Sequence, residues 1–477
     1  MKEMVFKRAS SKYRVYAWLI IASGFLLSLI AMLYDIRFSY MVAYFWAGIV
    51  YGLFLQYGHF CMASATRDLF AIGTTRVAVG ILIAITLYGF TSLIDRLIGI
   101  APFHANPIGV HTLIGGFIFG VGISFAGGCS SGSLYKSGEG NIAAMIVVTS
   151  VAVAQALFVS TLKFPFVPYL VPESWMKAAE QQTNMGIPKE FVSSWYDYFL
   201  AGYAWSLKGL SGADLIPSDN IFLREFIGNF LLGVIVPTLF FLMITYIFFF
   251  RKRYIRNVKS FQSVFTDIKG LLNMIVDSKR TALAGLGLGV ASGLHMWVLG
   301  ILRERLGIDN FGELLQQMGF TSGLTIQGTA FDPGYWYITT QEAQWMAWTI
   351  EKIFRVDLYH NIFFGVENGI LNPLINAADL MIIGIILGAA FMALYRGEFK
   401  WRKPTGEQVI FALIGGTLMG IGARLALGCN IGALFVPAAN GDYSGWLFFI
   451  AMGAGAFSGV KITTWWINRR VQKEFEF

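Results

Sequence analysis

The sequence predicts an all-α polytopic membrane protein with about ten apolar segments, re-entrant broken helices and two halves related as an inverted-topology repeat. Three observations carry that prediction. First, 56% of the 477 residues are hydrophobic and 13% charged, at a mean hydropathy of +0.60. Soluble domains carry about 25% charged and 45–50% apolar residues, so a compact soluble fold is excluded. This much Phe and Ile excludes a disordered chain, and three cysteines in so long a chain exclude a disulfide scaffold. Second, the apolar residues fall in runs of about the 20 residues that span a bilayer. Third, a glycine-rich string recurs at a fixed offset.

The spans, in order, are 15–34, 41–63, 73–94, 109–128, 141–161, 226–250, 281–302, 377–395, 408–428 and 445–467. The first is too long for a cleavable signal peptide, and Tyr34-Asp35-Ile36-Arg37 offers no small-residue cleavage site. Lys and Arg set the orientation. Residues 1–14, 251–280, 396–407 and 468–477 hold 20 of the 36 basic residues beside seven acids. Loops 162–225 and 303–376 hold nine basic and fifteen acidic residues. The positive-inside rule puts the basic segments and both termini in the cytoplasm and the two long loops outside. This topology, with anionic lipid, accounts for the net charge of +8 and leaves no call for nucleic acid. The organisation is a first half, 1–250, a basic cytoplasmic linker, 251–280, and a second half, 281–477. The outer loops, with strings such as Phe164-Pro165-Phe166 and Pro333-Gly334-Tyr335, are expected to form short interfacial helices with little part in chemistry.

The repeat sits in the fourth and ninth spans. Residues 113–134 read LIGGFIFGVGISFAGGCSSGSL and residues 413–434 read LIGGTLMGIGARLALGCNIGAL, with eleven of 22 positions identical and no gap. Five spans separate the copies, so they cross in opposite directions, the signature of an inverted repeat. A weaker pair, spans two and seven, aligns on Gly52 and Gly289. Gly116-x3-Gly120 and Gly416-x3-Gly420 are small-xxx-small packing motifs. Each copy then ends in Gly-Cys-x-x-Gly, where Gly127, Gly128 and Gly428 let the backbone leave the helix and Gly132 and Gly432 allow a tight return. Interrupted segments at matching places in two halves point to a transporter's binding site. Freed backbone N–H groups there suit an anion.

Cys61, in Gly58-His59-Phe60-Cys61, joins Cys129 and Cys429 as a thiol at the end of a glycine-rich span. A buried cysteine is most simply a small core hydrophobe. Three that terminate such spans, two of them repeat-related, read instead as groups on a path. No Cys-x-x-Cys or His pair supplies further metal ligands, although soft thiols leave a Cu(I) path open. A soft, polarisable sulfur anion passing from thiol to thiol is the third option, held weakly enough to leave. Ser130, Ser131 and Asn430 lie beside the thiols. Arg424 inside the second copy supplies a fixed positive charge, and His59 a further anion contact. No cofactor is called for, and Gly-x-x-x-x-Gly-Lys-[Ser/Thr] is absent.

At Gly58-His59-Phe60-Cys61, Ala126-Gly127-Gly128-Cys129-Ser130-Ser131-Gly132 and Leu427-Gly428-Cys429-Asn430-Ile431-Gly432 the chain resembles the YeeE/YedE family of bacterial membrane proteins, which are thiosulfate or sulfur-compound transporters. The likeness covers roughly 41–161, 226–302 and 377–467 and leaves out the first span, the basic segment and the outer loops. It implies an hourglass-like helical fold in the bacterial inner membrane. It also implies thiosulfate uptake along Cys61, Cys129 and Cys429, and delivery to a small cytoplasmic sulfur-carrier (TusA-like) protein. Some longer relatives imply a selenium compound instead. A membrane-embedded thiol oxidoreductase or sulfurtransferase is a second class, disfavoured by the missing Cys-x-x-Cys. A scaffold indifferent to all three thiols is a third.

Overall fold

Breaking a helix inside an apolar slab is costly, so the layout follows from where the chain stays helical and where it does not. The computed structural model describes residues 11–100, 103, 105–160, 209–216, 218–257, 264–324, 330, 332–358, 364 and 369–475. Interfacial helices expected in 161–208, and the basic residues 1–10 and 258–263, lie outside the described residues. In chain order the helices are α1 (Ser11–Tyr34), α2 (Ser39–Gly58), α3 (Met62–Ile72), α4 (Arg76–Leu97), α5 (Val110–Ala126), α6 (Ser130–Gly138) and α7 (Ile142–Val159). Then come α8 (Leu223–Phe250), α9 (Val264–Asp277), α10 (Lys279–Leu306), α11 (Phe311–Gln317) and α12 (Thr339–Phe354). The chain closes with α13 (Ala377–Arg396), α14 (Gly406–Leu425), α15 (Asn430–Phe435, continued by Val436–Ala439) and α16 (Tyr443–Phe475). Among the described residues ten helical stretches are long and apolar enough to cross a membrane, one for each predicted span. Large apolar side chains point outward along them, including Trp18, Phe25 and Leu33 of α1 and Phe240 and Phe248 of α8, as lipid-facing helices require. The protein is a multi-pass membrane protein.

Two spans run further than their apolar patterns. The fourth continues through α6 to Gly138 and the ninth through α15 to Ala439. The polar string of α6, Ser130-Ser131-Gly132-Ser133, disguises its helix, which is buried against α7 and α13 rather than exposed to lipid. Cys129 and Cys429 therefore lie at breaks within spans, not at span ends.

Helix pairing follows the glycines. At the centre α5 crosses α14: a Cβ on Gly115 would lie 2.5 Å from the Ala426 nitrogen, and one on Gly415 would lie 2.5 Å from the Ala126 nitrogen. The two contacts are reciprocal. Gly48 and Gly52 of α2 likewise abut the Met381 and Ile385 carbonyls of α13, with no room for a side chain. Beyond the central crossing, α5 packs on α16 and α14 on α7, while α2 packs on α13 and α10 on α4. Contact at the backbone is how membrane helices associate without a hydrophobic driving force. Two turns are clamped in matching fashion. The backbone of Lys400 and Arg402 bonds Glu139 and Gly140 before α7, and Leu210 and Gly212 bond Tyr443 and Gly441 at the start of α16.

Gly415→Val forces the α5–α14 crossing apart and is expected to destabilise the fold by about 1–3 kcal/mol or more. Gly406→Ala, where a Cβ meets nothing within 4 Å, is expected to be neutral. Thermal unfolding of the two detergent-purified variants checks this, and equal melting temperatures would contradict the crossing.

Candidate functional site: three thiols at helix starts

Each cysteine caps the helix that follows it: Cys61 precedes α3, Cys129 precedes α6 and Cys429 precedes α15. A helix start leaves four backbone N–H groups without intrahelical partners. Oxygen side chains usually accept from them. Here Cys129 Sγ accepts from the Gly132 N–H at 3.3 Å, and Cys429 Sγ from the Ile431 N–H at 3.3 Å. Sulfur is the weaker acceptor, so these N–H groups are held loosely.

The backbone leaves α5 at Gly127, which has φ +69°. In the second copy the left-handed residue is Leu427, φ +61°, not Gly428 as the sequence suggests. A non-glycine residue there costs roughly 1–2 kcal/mol, and the Tyr337 hydroxyl donates to the Leu427 carbonyl at that point. Gly132 and Gly432 also differ from expectation. They lie inside α6 and α15 and make room rather than a turn: a Cβ on Gly132 would overlap Cys61 Sγ, and one on Gly432 the Tyr337 ring. A Cβ on Gly128 would sit 3.2 Å from Lys136 Nζ, and one on Gly428 2.9 Å from the Tyr337 hydroxyl oxygen.

All three cysteines are free and buried. Cys61 Sγ and Cys129 Sγ are 3.6 Å apart. Cys129 Sγ also meets Ser131 Oγ at 3.2 Å and accepts from Asn430 Nδ2 at 3.3 Å. Asn430 follows Cys429 directly, so the second broken span reaches the thiol of the first. Ser130 Oγ donates to Glu342 Oε1 at 2.6 Å. The buried Arg424 guanidinium donates to Thr340 Oγ1 at 3.2 Å and Thr339 Oγ1 at 3.1 Å. His59 is half-exposed and lies 3.7 Å from Glu139 and 3.9 Å from Glu398, in ion contacts rather than a thiol bond. Its neighbours there, Arg280, Arg396 and Arg402, come from the basic segments. Among the described residues no group of three or more His, Cys, Asp or Glu is arranged to hold a metal ion.

Four contributions were not read from sequence. Lys136 donates to the Gly127 carbonyl at 3.1 Å, putting a cation behind the first turn. Tyr337, the Thr339-Thr340 pair and Glu342 come from loop 303–376, which the sequence reading left without chemistry. Asp332 ties that loop down: it accepts from Arg303 at 2.7 Å, from Tyr40 at 2.5 Å and from Tyr44. Thr339-x-x-Glu342 fits the Ser/Thr-x-x-Glu pattern of a helix start and was the available signal for α12.

The ten described spans enclose a buried site of thiols, hydroxyls and an amide, as a membrane transport protein does. Residues 57–458 match the family described as Sulphur transport, and the chain belongs to that family. The thiosulfate transporter TsuA of Spirochaeta thermophila is 24% identical over 411 residues, covering 84% of this chain and 94% of the relative. The thiosulfate transporter TsuA of Escherichia coli is 23% identical over 443 residues, covering 92% and 97%. The probable transporter YedE of Escherichia coli is 30% identical over 130 residues, 27% of this chain and 32% of the relative.

The Cys61–Cys129 distance must shrink by about 1.5 Å to reach a disulfide. Mild oxidation of the purified protein is expected to join these two sulfurs and leave Cys429 free. Peptide mapping reads the result. A bond to Cys429 instead would contradict the geometry.

Proposed function

We propose that the protein takes up thiosulfate or a closely related sulfur anion along a path lined by Cys61, Cys129 and Cys429. The observation that carries this reading is the thiol pair at 3.6 Å with the Asn430 amide on Cys129, at the breaks of two spans. A sulfur anion there meets S–H and N–H donors that are individually weak, as multi-site passage requires. The full-length relatives named as thiosulfate transporters support the same substrate. Ser130, Ser131 and Asn430 complete the polar lining. Gly128, Gly132, Gly428 and Gly432 keep it open, and Arg424 stands behind it as a fixed charge.

The reciprocal α5–α14 contacts and the matching turn clamps support two inverted halves, 1–250 and 281–477, joined by 251–280. The basic segments support the bacterial inner membrane with cytoplasmic termini. His59, among Glu139, Glu398 and the arginines, then marks the cytoplasmic mouth, where a small sulfur-carrier protein collects the product. A selenium analogue is the competing substrate of the same path.

Cys129→Ala removes the sulfur shared by Cys61, Ser131 and Asn430. Uptake of labelled thiosulfate in cells is expected to fall at least about tenfold, the equivalent of one weak bond of ~1.4 kcal/mol. Selenite and sulfate competition separates the substrates. Unchanged uptake in all three single Cys→Ala variants is the scaffold outcome and sinks the proposal.

A further inference from the structure

The thiol site has a carboxyl group at its edge that the path does not use. Glu342 lies in the first turn of α12, beside Ser130 of α6, and is 3% exposed. Oε1 accepts from Ser130 Oγ at 2.6 Å, while Oε2 is buried without a hydrogen-bond partner. Asn430 Oδ1, on the other side of Cys129, is likewise buried and unpartnered. An ionised carboxylate with a bare buried oxygen is costly. It also repels any anion brought to the adjacent thiols. Protonation relieves both problems at once, because the new O–H becomes a donor where an acceptor stood.

The groups facing Glu342 come from several elements. Arg424 of α14 attracts the ionised form, and the Cys429 thiol at the start of α15 interacts with it. Cys129 lies beside Ser130. α13 also packs on α12: Asn376 at its start donates to Gln344 at 3.0 Å, and its own acid Asp379 is buried with both carboxyl oxygens unpartnered. α12 lies outside the ten spans. Burial pushes the Glu342 carboxyl up to about 8, against the Ser130 hydroxyl and Arg424. The sign is that of a neutral acid below about pH 8 and a carboxylate above it.

We propose that Glu342 is the proton-binding site that couples anion uptake to a proton gradient. This rests on the sulfur-anion reading above. Oε2 takes a proton from the outer aqueous phase, and the neutral acid admits the anion to the thiols. The anion leaves inward and the proton dissociates to the same side. No bond other than O–H forms or breaks, and no redox partner is needed.

The test uses the full-length protein in proteoliposomes with the membrane potential clamped at zero and labelled thiosulfate as probe. With the outside one pH unit more acidic, one coupled proton supports about tenfold accumulation. The wild type is expected to approach that ratio, and Glu342→Gln, which mimics the neutral acid, to equilibrate without accumulating. A second readout is infrared difference spectroscopy of the wild type on thiosulfate addition. A protonated-carboxyl band that responds to thiosulfate and is missing in Glu342→Gln is expected. Downhill uptake indifferent to the pH gradient overturns the proton site and leaves the thiosulfate reading standing, as does equal accumulation by the variant. No uptake under any gradient overturns both.

Discussion

A backbone inside a bilayer must satisfy its own hydrogen bonds, and the rest of this structure depends on how the chain meets that demand where its helices break. Three breaks leave helix starts buried, and at two of them the cysteine sulfur accepts a backbone N–H that water would otherwise take. The site is therefore made of the groups that the breaks themselves expose. Nothing more than thiols, hydroxyls and one amide is needed to line it. Glycine makes the arrangement fit. Gly115 and Gly415 let α5 and α14 touch at the backbone, and Gly132 and Gly432 leave space for the Cys61 thiol and the Tyr337 ring.

The placement of charge follows from the same demand. At about 4 Å and an effective dielectric near 20, one charge pair is worth roughly 4 kcal/mol, or about a thousandfold in affinity. A bare cation on the path would trap an anion. Lys136 is instead engaged by the Gly127 carbonyl and Arg424 by two threonine hydroxyls, so their fields act through bonded neighbours. On the path proposed here, passage runs over weak sulfur contacts set in a positive background. Among the described residues Glu342 is the one acidic side chain hydrogen-bonded to this lining, through Ser130.

Much of the fold is legible in order along the chain, because a span has to be continuous and apolar to exist in lipid. A described helix runs through each of the ten predicted spans. The clearest exception is α6, which is polar and buried against α7 and α13, so hydropathy passes over Ser130–Gly138 although it is helical. The thiols stood out because the only cysteines in the chain end glycine-rich strings. Tyr337 and Glu342 did not, since nothing local distinguishes a loop residue that folds back onto a distant span from one that stays in water.

The sequence by itself determined the membrane, the spans, the 22-residue string repeated at an offset of 300 and the three cysteines, because composition and spacing are read directly along the chain. Tertiary structure alone decided that Cys61 meets Cys129, that Asn430 reaches across to the same sulfur, and that the loop after α10 returns with Tyr337 and Glu342. Those contacts join residues from 68 to 301 positions apart. They exist only once glycine-lined helices have drawn the breaks together, a matter of packing that no single stretch of chain encodes.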